Sequence, residues 1–261
     1  MRLQEINPSV KAGAVVIAII LLAFAFDPVT PLLVLLGSSA AACCFGGVSV
    51  RKWLLCLSPF LLIAIGYVWS AMLFGRVPSG ANAQILWSFG PLQVTAAGVS
   101  RGISLGLRVL SFAALSLLFV LTTSPSRFMF SLMQQCRVSP KIAYGILAGY
   151  RFLPLLKEEL ALIRTAHRIR RMGVTGSWAD QVKQLGGYVI PLLASAIRKA
   201  ERTAMAMESK GFTGSRQRAF YQRLSVTAKD WLFLAAVVAF VLAGFFVSDR
   251  LGQLHWYSGE L

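Results

Sequence analysis

The chain has 261 residues, of which 56% are hydrophobic and only 14% charged, and its mean hydropathy is +0.67. Soluble domains carry about 25% charged residues, so the composition excludes a water-soluble enzyme and makes lipid the solvent for much of the chain. The balance is basic, 26 Lys+Arg against 10 Asp+Glu for a formal net charge of +16. Such an excess arises from nucleic-acid binding, from contact with anionic lipid, or from the cytoplasmic loops of a membrane protein.

A helix needs about 20 apolar residues to cross the hydrocarbon core. Residues 10–26, behind the cations Arg2 and Lys11, form the first candidate. A signal peptide ending near Ala23-Phe24-Ala25 is the alternative, disfavoured because further apolar segments follow at once. Asp27-Pro28-Val29-Thr30-Pro31 is a turn, since each Pro discourages helix in the residue before it. Residues 32–50 and 53–74 give the second and third spans, separated by Arg51-Lys52. Residues 75–90, rich in Gly, Pro, Ser and Asn, read as a loop with a short interfacial piece around 85–89. Residues 96–121 are the fourth span and 231–247 the last.

Residues 122–230 differ in kind. They hold 18 of the 26 Lys+Arg and 6 of the 10 Asp+Glu, a local net of +12. Thr122-Thr123-Ser124-Pro125 and Ser139-Pro140 are helix starts, with hydroxyl caps before a Pro at the first helical position. Gly173 and Gly211 follow basic helical stretches, as terminating glycines do. The expected architecture is an all-α integral membrane protein in three parts. Residues 1–121 hold four spans, 122–230 a cytoplasmic or interfacial helical region, and 231–261 the last span and an outer tail. Lys and Arg gather on the cytoplasmic side of membrane proteins; five spans then put the N-terminus and the basic region inside and the C-terminus outside.

Arg101 and Arg108 lie within the fourth span, seven apart and on one helix face. An Arg there costs several kcal/mol, of order 3, unless it meets protein or water. Arg108 has two readings, a polar partner within the bundle or a snorkelling side chain; Arg101, near the helix start, reads as snorkelling. No span carries paired carboxylates or a Ser/His or His/Glu constellation, so intramembrane hydrolysis has no machinery. The cysteines, Cys43, Cys44, Cys56 and Cys136, form no CxxC pair, and His167 and His255 are too far apart in sequence to suggest a metal site.

Two segments of the basic region resemble each other: Ala166-His167-Arg168-Ile169-Arg170-Arg171-Met172-Gly173-Val174-Thr175-Gly176-Ser177 and Ala204-Met205-Ala206-Met207-Glu208-Ser209-Lys210-Gly211-Phe212-Thr213-Gly214-Ser215. A cation at a helix C-terminus is favoured by about 0.3–1 kcal/mol, which accounts for one cation per end. On the first helix Leu156, Leu160, Ile163 and Ile169 form an apolar stripe. On the second, Ala196, Ala200, Thr203, Ala204, Met207 and Gly211 form a small, smooth one of the kind that admits another helix closely. Two such helices with basic tips suit docking into acidic grooves of two similar partners, or lying on anionic headgroups.

At these residues the chain resembles the transmembrane T component of energy-coupling factor (ECF) transporters, vitamin and metal-ion importers of the ATP-binding cassette class. The resemblance covers nearly the whole chain. It is most specific in Thr123-Ser124-Pro125, Tyr150-Arg151-Phe152-Leu153-Pro154, Glu159, Ala166-His167-Arg168-Ile169-Arg170, and Arg202 through Gly211. It implies two short Ala-Arg-Gly-like signatures at the ends of two coupling helices, each Arg entering a groove on one of two ATPase subunits. Carried over, the second signature is Ser209-Lys210-Gly211 with Lys210 in the Arg position. The first is Ile169-Arg170-Arg171, with Arg171 where Gly is usual; aligning Gly173 instead would put Met172 in the Arg position. Arg168, Glu208, Arg151 and Arg108 are implied as supporting residues. Lys for Arg keeps the charge and loses the planar five-donor fork.

The resemblance implies a non-catalytic coupler whose partners are two ATPases, a membrane substrate-binding S component that selects the cargo, and the bilayer. No cofactor, metal or nucleic acid is expected, and no Walker A loop occurs. Two rival readings compete: a self-contained permease or secondary transporter, which tends to show inverted repeats among its spans, and a membrane-anchored nucleic-acid-binding protein, which calls for aromatics among the cations. Between residues 164 and 210 the aromatics are Trp178 and Tyr188, both away from the cation clusters.

Overall fold

A computed structural model describes residues 3–25, 27–74, 85–89, 92–170, 178–215 and 219–252; for residues 72–74, 85–89, 92–97, 170 and 178–185 it describes the backbone alone. Among the described residues, eight helices and two short strands follow in the order α1 (Pro8–Ala23), α2 (Val29–Cys44), α3 (Val50–Phe74), β1 (Ile85–Phe89), β2 (Leu92–Thr95), α4 (Ala96–Thr122), α5 (Pro125–Gln135), α6 (Pro140–Arg170), α7 (Trp178–Ser209) and α8 (Ala228–Arg250). The helix starts at Pro125 and Pro140 are the ones that fixed φ at a first helical position dictates.

The fold is that of an all-α membrane protein, one small β-hairpin aside. α3, α4 and α8 contain apolar windows long enough to span a bilayer, at 50–71, 98–122 and 228–250. α1 and α2 are apolar but only 16 residues each, about 24 Å at 1.5 Å per residue. The short piece expected around 85–89 is a strand, paired with a second at 92–95; the rest of the expected loop, 75–84 and 90, lies outside the described residues. β1 and β2 pair antiparallel, Phe89 opposite Leu92 and Ile85 opposite Thr95, with an irregularity between Ile85 and Trp87. Aromatic and β-branched residues crowd this stretch, and they favour a pleated strand.

The chain divides into two compact units, one from Met1–Ser131 with Leu224–Leu261, the other from Leu132–Arg223. In the first unit α4 is the internal helix: 39% of its apolar window is buried, against 6% for α3 and 17% for α8. Val15, Ala18, Leu22, Ala25, Val34, Leu115 and Val241 bring α1, α2, α4 and α8 into one core cluster. Ala42, Trp53, Ala114 and Leu118 join α2, α3 and α4 in a second. The outward faces of α3, including Leu55, Leu62 and Trp69, are exposed and apolar, as a lipid-facing helix requires.

α3 and α4 approach closely because α4 places Gly102 and Gly106 one turn apart, a small-xxx-small spacing that lets backbones meet without side chains between them. A Cβ on Gly106 would stand 2.7 Å from Val68 Cγ2, and one on Gly102 3.0 Å from the Val68 carbonyl oxygen. Trp53 is buried and its Nε1 donates to Ser39 Oγ at 3.3 Å, so the indole's one polar atom is satisfied.

The intramembrane arginine has its partner in this unit. The Arg108 guanidinium donates through Nη2 to the carbonyl of Ala25, in the turn between α1 and α2. Asp27 in the same turn is buried, accepts from the Thr30 amide at 2.7 Å, and acts electrostatically on Arg108. Of the two readings of Arg108, the bundle partner is the one observed. Arg101 is exposed.

Candidate functional site

The second unit is built on α6 and α7, of 31 and 32 residues. They run antiparallel, as three cross-contacts define. At one end Tyr144 meets Phe212 edge to face, ring centroids 5.4 Å apart. In the middle the Lys199 ammonium forms an ion pair with Glu159. Toward the other end His167 meets Tyr188 edge to face at 5.1 Å. Position rises along α6 as it falls along α7, so the C-termini of the two helices point in opposite directions.

Lys210 occupies the C-terminal cap of α7. The Gly211 amide donates to the Glu208 carbonyl at 2.9 Å, and the Phe212 amide to the Met207 carbonyl at 3.0 Å. These are the 5→2 and 6→1 bonds of a Schellman motif, which requires a left-handed residue after the cap. Gly211 supplies it with φ +81°. The terminating role expected for Gly211 is therefore realised, and its consequence is geometric. The chain reverses at Gly211, Phe212 returns to pack on Tyr144, and Lys210 is left exposed at the helix end.

At the other tip Arg170 is the last residue of α6. Its side chain, the whole of Arg171, and the expected terminator Gly173 lie outside the described residues. Arg151, Arg168 and Glu208 are exposed on their helices. The structure thus places Lys210, Gly211 and Glu208 together at one end of the hairpin and Arg168 near the other. Arg108 belongs to the first unit.

Both stripes expected on these helices are half-realised. Leu156, Leu160 and Ile163 are partly buried, as are Ala196, Thr203 and Met207, whereas Ile169, Ala200 and Ala204 are exposed. Leu153, Leu162, Ile190 and Leu193 also remain outside the α6–α7 contact, each more than half exposed. These residues leave exposed apolar surface on the hairpin.

Lys199 is the cation of the central ion pair. Hydrogen bonds from Lys199 and Ser195 hold the Glu159 carboxyl below its ordinary range. Lys11, one of the cations before the first span, is buried inside the first unit. Among the described residues no group of three or more His, Cys, Asp or Glu side chains lies together, and the four cysteines are free of disulfides.

Long apolar helices, a glycine-mediated α3–α4 contact and an inserted antiparallel hairpin with cationic tips define a multi-span membrane protein that presents a helical platform. A family model described as "Cobalt transport protein", CbiQ, matches residues 2–221. The chain belongs to this family, that of the transmembrane T components of energy-coupling factor transporters. Among its relatives are proteins named energy-coupling factor transporter transmembrane protein EcfT. That of Streptococcus thermophilus is 26% identical over 95% of this chain and 94% of its own length. That of Leuconostoc gelidum is 32% identical over 64% of this chain and 65% of its own. An ABC transporter ATP-binding protein of Bifidobacterium longum is 26% identical over 60% of this chain, a match that takes up 21% of that longer protein.

Proposed function

We propose that this chain is the coupling subunit of an ECF-type importer. Two ATPase subunits dock on the tips of the α6–α7 hairpin and hydrolyse ATP; the hairpin passes their movement to a membrane-embedded substrate-binding subunit, which carries a vitamin or a metal ion. The chain itself performs no catalysis. In this reading residues 1–121 and 231–261 supply five spans, 122–230 is the coupling region on the cytoplasmic side with the N-terminus, and the C-terminus is outside.

The observation that carries the reading is the symmetry of the tips. Arg170 and Lys210 each stand eleven residues beyond the central pair (159 to 170, 199 to 210), on antiparallel helices. That is roughly 16 Å along each helix in opposite directions, a spacing that suits two separate partners better than one. The Bifidobacterium relative adds support, since a segment like this chain occurs there within a protein named as an ATP-binding one. Exposed apolar residues between the tips offer a surface for the third subunit.

Four variants test it by pull-down of ATPase subunits and by substrate uptake: Arg170→Ala, Lys210→Ala, the double, and the control Lys157→Ala/Arg223→Ala at exposed positions. Charge-assisted hydrogen bonds contribute about 1.5–3 kcal/mol each. Each single change should therefore weaken docking tenfold or more, and the double should nearly abolish it. Equal behaviour of all four would reduce the tips to bulk charge and overturn specific docking.

A further inference from the structure

The peptide chain passes between the two units twice, leaving the first at Ser131 in α5 and returning at Leu224 just before α8. Within the first unit one short segment, Leu3 to Lys11, touches the residues at both crossings. Asn7 lies at the centre. Its amide donates to Asp230 Oδ1 at 2.8 Å, at the start of α8. Its side-chain Oδ1 accepts from Ser131 Oγ at 2.6 Å, at the exit. A single buried residue therefore bridges departure and return.

The surroundings complete the arrangement. Asp230 Oδ2 accepts from both the amide and the hydroxyl of Thr227, each at 2.8 Å, so one carboxylate holds the first turn of α8 and the N-terminal segment together. The hydroxyls of Ser9 and Ser131 are hydrogen-bonded. The Lys11 ammonium, 1% exposed, donates to the carbonyls of Leu3 and Thr122 and to the hydroxyls of Thr122 and Thr123, where α4 gives way to α5. Arg127 of α5 donates to the Gln4 carbonyl at 2.6 Å. Asn7, Lys11, Thr122, Ser131 and Asp230 are all buried.

We propose that Leu3 to Lys11 is a clasp, with Asn7 and Asp230 as its positioning residues, that locks the two crossings to each other and to α1. Displacement of the inserted hairpin then reaches α4, α5, α1 and α8 as one movement. The proposal rests on the coupler reading. Its physical basis is that hydrogen bonds in low dielectric rigidify the groups they join; the bonds through the Asn7 amide and Oδ1 do this, while its Nδ2 is buried without a hydrogen-bond partner. With the clasp open, α5 and the first turn of α8 can move separately, and a push on the hairpin is absorbed locally. Neither end of α1 belongs to the inserted region, so packing of that region alone gives no reason for Asn7 to contact both crossings.

The test uses the complete complex, with both ATPase subunits and the substrate-binding subunit, in proteoliposomes. Asp230→Asn keeps the shape and removes the charge that Thr227 and Asn7 address. Assembly and ATP hydrolysis should stay within about twofold of the parent, while substrate taken up per ATP falls at least fivefold. Covalent closure supplies the reverse experiment. In a chain whose four native cysteines are replaced by serine, Ser9→Cys/Ser131→Cys is combined with Asp230→Asn; disulfide formation should restore uptake per ATP and reduction should remove it again. If Asp230→Asn fails to accumulate, Ser131→Ala carries the same comparison. Unchanged uptake per ATP in these variants, or no recovery on closing the disulfide, overturns the clasp and leaves the coupler reading standing. A parent chain that binds no ATPase subunit overturns the coupler reading itself.

Discussion

Lys199 and Glu159 pair across the middle of the α6–α7 hairpin, equidistant in sequence from Arg170 and Lys210. The pair fixes the register in which the helices slide on each other, and so the position of each tip relative to the other. Lys199→Ala should loosen that register. Spin labels on the two helices should report a broader distance distribution for Lys199→Ala than for the parent, and a near-parental one for Lys199→Arg.

The same pair predicts a pH dependence. Glu159 is held below its ordinary value of about 4.5 by hydrogen bonds from Lys199 and Ser195. A carboxylate lowered in the folded state stabilises above the unfolded value and loses that contribution as pH falls through the folded one. The distance distribution should thus be constant at neutral and mildly acidic pH and broaden only once the pH has fallen below the ordinary carboxyl range. Glu159→Gln should abolish the pH response.

Gly211 holds φ +81° in the Schellman cap. A side chain in the left-handed region costs roughly 1–2 kcal/mol, so Gly211→Ala should fray the last turn of α7 while sparing its middle. Hydrogen exchange at Phe212, whose amide is bonded to Met207, should accelerate roughly tenfold. Gly211→Asn should be milder, since Asn tolerates this region.

Gly106 admits no side chain of size. Gly106→Ala should lower the thermal midpoint in detergent, because the added Cβ would stand 2.7 Å from Cγ2 of Val68, a β-branched side chain stiff at χ1. Gly106→Leu should push α3 off α4 and prevent accumulation of folded protein, as overpacking beyond about 3 kcal/mol does.

Arg108→Met removes the donor to the Ala25 carbonyl and should destabilise the first unit by about 1.5–3 kcal/mol. Because Asp27 then stays buried without the cation that acts on it, adding Asp27→Asn should recover part of the loss. A double-mutant cycle on thermal stability measures the coupling; strict additivity would separate the two residues.

What the sequence made legible were the properties carried by single residues or by local runs. Apolar length found α3, α4 and α8; Pro125, Pro140 and Gly211 marked helix ends; the sign of the charge drew out the inserted region. The near-repeat that carries Arg170-Arg171 and Lys210-Gly211 was visible because each copy is a contiguous run. Pairings over distance were not legible. Lys199 and Glu159 are 40 residues apart and Asn7 and Asp230 are 223 apart; nothing in either neighbourhood marks the other. One missed signal was present. Thr227-Lys229-Asp230 sits at the start of α8 with Thr and Asp three apart, the spacing of a capping box, which would have marked Asp230 as a residue facing backbone amides rather than lipid.

The bridge from Asn7 to Asp230 also sets an order of birth. Ribosomes extend chains at about 5–20 residues per second, and the two residues are 223 positions apart, so the amide of Asn7 waits on the order of ten to forty seconds for its acceptor. In the later part of that interval, once residue 131 has been added, α1, α2, α3 and α4 are made and Ser131 stands with no α8 to complete the network. The newborn membrane unit stays unfinished at one end until its final helix arrives. A nascent chain stalled before residue 228 therefore lacks the carboxylate that accepts from the Asn7 amide.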